Sequence, residues 1–212
     1  MDDIKHNATL VGDILLTGSQ GQSHEDYQFA LNCAYLAKRQ ADTTYNSVIQ
    51  PGRWTDYFTD VLWSHGWNRD HQPIEHVQTQ FNGSVRQVWF QIASPLLSRE
   101  QVTGVDQGLA KMERDVELLK KIKGTSGKPF DFKVIPLSYN ANGDLELVIS
   151  NIRFIKSSLN TSYFFWDVSQ SMTQLDVVAR KVVISRRVMD ARRLSVRKAL
   201  DGLKFNFDAI PI

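Results

Sequence analysis

Three of the five histidines in this sequence fall within fourteen residues, Trp63 to His76, alongside two carboxylates and two tryptophans. Imidazole titrates near neutrality and is a frequent metal ligand. His65, Asp70, His71 and His76 are therefore the first candidates for an acid–base pair or a metal site. Their spacing matches no established ligand pattern: there is no H-E-x-x-H and no second cluster elsewhere. No metal and no other cofactor is expected. The plainer reading is a polar loop after a helix, with its tryptophans turned into the core.

Cys33 is the single cysteine. An internal disulfide and a thiolate zinc cluster are thereby excluded. A lone thiol is a candidate nucleophile for a small hydrolase or acyl-transfer enzyme, or a carrier of a thioester-linked acyl chain. Its neighbours at helical spacing are Ala30, Ala34 and Ala37. That company favours a buried cysteine packing as a small hydrophobe.

The third candidate is electrostatic. Between Arg180 and Lys204 nine basic residues face two acidic ones, a net +7. The whole chain carries +2, which leaves the rest at −5. Arg186, Arg187, Arg193, Arg197 and Lys198 fall on one expected helix. At 100° per residue Arg186, Arg193 and Arg197 share a side, and Arg187 shares another with Lys198. Such a helix suits a protein partner or self-association, an anionic lipid surface, or nucleic acid. Reversing charge at Arg193 and Arg197 is expected to weaken that association without unfolding the chain.

Near-miss motifs carry nothing. Gly127-Lys128 resembles a phosphate loop, but Ile122 stands where its first glycine belongs and Pro129 where its Ser or Thr belongs. Gly21-Gln22-Ser23-His24-Glu25 lacks the closing glycine of a nucleophile elbow. The start of the sequence has neither the basic nor the apolar region of a secretory signal, so the glycosylation patterns at Asn82 and Asn160 have no weight. A cytoplasmic protein, or an effector exported without such a signal, is the expectation. No stretch approaches the roughly 18 apolar residues of a membrane span.

The elements that position these residues follow from periodicity. Thr9–Leu16 reads as a strand. Ser23 with Asp26 caps a helix carrying Phe29, Ala30, Cys33 and Ala37 on one face. Pro51 opens a second helix, with Trp54, Phe58, Val61 and Leu62 inward and Gly66 just past its end. Val85–Ile92 fits either a helix or a strand. Ser98 opens a helix whose Val102, Val105, Leu109, Met112, Val116 and Leu119 form an a/d stripe that could serve a partner helix. Gly104 and Gly108 mark a close approach there. After Pro129 the period becomes two, with a turn at Asn140–Gly143 and strands at Tyr163–Trp166 and Leu175–Ile184. Ser185 caps the basic helix, with Val188, Ala191, Leu194, Ala199 and Leu203 as core candidates. The order implies an α+β domain over residues 1–212: a helical half, about 1–124, packed on one face of an antiparallel meander, about 129–212, closed by the basic helix. A non-enzymatic binding or assembly protein is the favoured function; the enzyme using Cys33 or the His65–His76 segment is the alternative.

Overall fold

The computed structural model describes residues 7–47, 49–79, 83–115, 117, 130–156, 167–168, 173–203 and 208–211. The chain opens with a hairpin, β1 (Asn7–Val11) and β2 (Ile14–Gly18). Gly12, at φ 62°, makes the turn inside what the sequence reads as one strand. Helix α1 (His24–Thr44) begins where Ser23 Oγ accepts the Asp26 N–H at 3.2 Å. Helix α2 (Pro51–Ser64) follows, with Gly66 at φ 100° just beyond its cap.

Next come β3 (Asn68–Arg69), β4 (Ile74–Gln78) and β5 (Gly83–Ser84). Val85–Ala93 forms helix α3, capped by Ser84, and Pro95 falls in a 3-10 turn after it. Helix α4 (Arg99–Arg114) starts with a full capping box between Ser98 and Gln101. Strands β6 (Phe130–Tyr139), β7 (Leu145–Lys156), β8 (Asp167–Val168) and β9 (Thr173–Ile184) precede helix α5 (Arg186–Leu200) and strand β10 (Asp208–Pro211). The expected strand at Tyr163–Trp166 lies outside the described residues.

The protein is α+β. Among the described residues one eight-stranded sheet runs β10–β1–β2–β6–β7–β9, with β3 and β4 both on the outer edge of β9. β6, β7 and β9 form the expected antiparallel meander, and Gly143, at φ 77°, turns its first hairpin. β2 joins β6 in parallel, so the sheet takes strands from both halves of the chain.

Helices cover both faces, which corrects the one-face expectation. Neighbouring strand residues point to opposite sides. Ile14, Leu16, Ile135, Leu147, Ile149 and Val182 pack with α1, α2 and α5. Leu15, Val134, Ile152, Leu175 and Val177 pack with α3 and α4. A sheet apolar on both sides needs cover on both.

The α4 stripe is correspondingly inward: Val105, Leu109 and Met112 are buried against the sheet, and so have no free face for a partner helix. Val116 and Leu119 lie outside what is described of the side chains. Gly108 is the close approach, since a Cβ there would stand 3.1 Å from Thr17 Cγ2.

Candidate functional site

The structure separates the histidines. The 63–76 segment is not one loop. Ile74, His76 and Gln78 alternate with Glu75 and Val77, and that period of two lays them against β9 with His76 opposite Val177. His76 therefore faces the α3–α4 side. His65 ends α2 on the other side, where Gly66 meets Val188 and Arg192 of α5. The sheet stands between the two imidazoles. Asp70 and His71 pair with each other at the surface, Oδ2 to Nδ1 3.0 Å, and the Asp70 N–H donates to the Lys181 carbonyl at 3.1 Å. Burial, then the charge of Arg192, hold His65 below its ordinary pKa, so it is neutral near pH 7. Among the described residues no group of three or more His, Cys, Asp or Glu side chains is placed to hold a metal.

Cys33 is 0% exposed, in the core under α1 and against the Trp67 indole. Burial pushes its thiol up to about 12, the reverse of what a nucleophilic cysteine needs. Neither a nucleophile nor an acyl carrier fits a thiol with no access to substrate.

The basic helix divides in two. Asp26, in the first turn of α1, is 0% exposed and gathers three donors. Arg186 Nη1 donates to its Oδ2 at 3.0 Å, and Arg193 Nη2 and the Tyr139 hydroxyl also donate to the carboxylate. Burial alone would raise the Asp26 pKa. The hydrogen bonds from Tyr139 and Arg193 and the charge of Arg186 outweigh that and hold it below its usual value. Arg193 also donates from Nη1 to the Glu25 carbonyl at 3.0 Å and from Nε to Asp190 at 3.0 Å. These two arginines fasten α5 to α1 and are not free for a partner. Reversing Arg193 would set a carboxylate against buried Asp26, so the expectation that this change spares the fold does not hold.

That clasp also sets the rotation of α5. The buried residues are Met189, Val196 and Leu200, on the side next to Arg186 and Arg193. Ala191, Leu194 and Ala199, expected in the core, are exposed, Leu194 to 64%. The outer face presents Arg187 and Lys198, while Arg197 lies toward the side of Arg186 and Arg193 and Arg192 toward the end of α2; all four are exposed and without an ion pair among the described residues.

A second buried network has no counterpart in the sequence reading. Lys133, 0% exposed, meets Asp131 at 2.7 Å and also Asp13, and its Nζ lies 4.5 Å from the centre of the Trp54 ring. Lys38 pairs with Asp13 at 2.9 Å and Asp42 at 2.5 Å, and the Trp54 indole N–H donates to Asp42 at 2.8 Å. Burial would raise both buried acids. At Asp13, Lys133 and Lys38 reverse that and the pKa is lowered; at Asp131 burial prevails and it is raised. The signal was present as Asp131 and Lys133 alternating with Phe132 and Val134. The sequence alone does not show that α1 and α2 cover that face. The network ties β2, β6, α1 and α2 together.

A shallow concavity of about 730 Å³ opens beside α3 and α4. Its arginine, Arg86, is already held by Asp106 and Glu113. No helix among the described residues is long and apolar enough to cross a membrane.

No family model and no curated protein matches the chain. A solved structure, that of the Evf virulence factor, is similar at TM-score 0.38 and 12% identity, over 89% of this chain and 77% of that one. What the chain does has to be read from its own geometry.

Proposed function

We propose that this protein is a binding protein that docks on an anionic partner through the outer face of α5. The observation that carries the proposal is the set of four exposed cations, Arg187, Arg192, Arg197 and Lys198, with no ion pair among the described residues. Surface cations normally gain little from pairing, and many are merely solvated. Here two of the helix's arginines are paired with Asp26, and Asp190 is occupied by Arg193. Arg187 and Lys198 lie together on the outer face, with Arg192 and Arg197 toward its two flanks, and this surplus of positive charge attracts an anionic surface over about a Debye length, roughly 8 Å at physiological salt. The enzymatic alternative draws no support from a buried Cys33 or from imidazoles on opposite sides of the sheet.

Retention on a heparin matrix tests the proposal. A basic side chain close to an anionic surface contributes about 1 kcal/mol, so reversing two of them is expected to weaken binding by about 100-fold or more. Arg187→Glu with Lys198→Glu should therefore elute at much lower salt than the wild type while melting at the same temperature. Equal retention of the two proteins would overturn the proposal.

A further inference from the structure

We infer that the anionic partner is the headgroup surface of a phospholipid bilayer, an inference that rests on the α5 docking reading and names its partner. The deciding residue is Leu194. At 64% exposed it is one of few large apolar side chains left in solvent among the described residues, and it sits in the middle of the basic face. Arg187, Ala191, Leu194 and Lys198 follow at steps of four, three and four, so two apolar residues lie between two cations on one stripe. A helix lying in a bilayer interface has this arrangement: apolar atoms enter the acyl boundary while flanking cations meet phosphates.

Another exposed large apolar side chain belongs to α2, whose C-terminal end abuts α5. Trp63 is 65% exposed in the last turn of α2. One turn later Gly66 abuts α5 so closely that a Cβ would stand 2.6 Å from Val188 Cγ1 and 3.7 Å from Arg192 Cγ. Indoles concentrate at membrane–water interfaces. Nucleic acid fits this face less well. Single strands are held by aromatic stacking, and the outer face of α5 offers aliphatic side chains. The polar Ser195 and the cations surround too little apolar area for tight insertion, so attachment depends on lipid charge.

Flotation of the full chain with phosphatidylserine-containing and pure phosphatidylcholine vesicles tests the inference, with heparin retention run in parallel. The expected result is flotation with the anionic vesicles only. Leu194→Asn is expected to weaken it about tenfold, from the loss of roughly one buried apolar side chain, and to leave heparin retention and melting temperature unchanged. Insertion can be read directly. In Leu194→Cys an environment-sensitive dye attaches at that position, because the Cys33 thiol is buried, and its emission should brighten and shift to the blue on anionic vesicles. Heparin retention without flotation would overturn the lipid inference and leave the docking reading standing, with a soluble polyanion as partner. Flotation that ignores Leu194→Asn and leaves the dye dark would also overturn it. Loss of both flotation and heparin retention would sink both readings.

Discussion

Replacing Asp26 by alanine is expected to lower the stability of the fold by about 2–3 kcal/mol, the usual worth of hydrogen bonds to a charged group. Asp26 is the point at which three parts of the chain meet. It lies in the first turn of α1, accepts from Tyr139 at the end of β6, and holds Arg186 and Arg193 of α5. Without it the two arginines lose their acceptor, Tyr139 loses its partner and the α1 dipole loses an anion at its positive end. Urea unfolding measures the loss. A cost below about 0.5 kcal/mol, the size of an ordinary surface change, would contradict the clasp.

The pH dependence has a definite sign. The folded pKa of Asp26 is held below its unfolded value, so the clasp stabilises the fold above the ordinary carboxylate range. That contribution is lost as pH falls from about 3.9 toward the folded value. Asp26→Asn keeps the shape and removes the titration, so its stability should fall less steeply over that acid range than that of the wild type.

Lys133→Met is expected to cost more, about 3–5 kcal/mol, because Asp13 and Asp131 would stay buried with one cation fewer. The two acids should not behave alike. Asp13 is held in its charged form by Lys133 and Lys38, whereas burial pushes the Asp131 carboxyl upward. Asp13→Asn should therefore destabilise more than Asp131→Asn, which gives up a charge that its surroundings already disfavour. Linkage separates them as well. The Asp13 contribution is lost as pH falls below the ordinary carboxylate value, and that of Asp131 is lost as pH rises through its raised one. Chemical denaturation of the three variants across the acid range checks both statements; equal costs for the two asparagine variants would contradict the assignment.

Local signals in the sequence were dependable where a few residues decide the outcome. Ser23 with Asp26 starts a helix as its spacing implies, Ser98 opens another, and Gly143 turns the hairpin. What escaped the sequence depends on distant partners. Nothing near Ile14–Gly18 announces that it pairs in parallel with Lys133–Leu137, more than a hundred residues later. The rotation of α5 departs in part from its apolar spacing for the same reason. Of Val188, Ala191, Leu194, Ala199 and Leu203, Val188 and Leu203 do pack against the core, but Asp26 holds Arg186 and Arg193 on the α1 side, Met189, Val196 and Leu200 are buried next to them, and Ala191, Leu194 and Ala199 are left exposed. The basic face was legible as a surplus of charge. Which of its cations remain free was not, because that is settled by a carboxylate some 160 residues earlier in the chain.

The central claim is that the outer face of α5 is where an anionic partner sits. Acetylation footprinting of the protein at roughly 0.15 M salt, with and without heparin, tests it most directly. Lys198 lies on that face, and Lys111 is exposed on α4, in the layer across the sheet. Slowed acetylation of Lys198 with Lys111 unaffected is the result expected here. Unchanged reactivity of Lys198, or protection of Lys111 in its place, would contradict it.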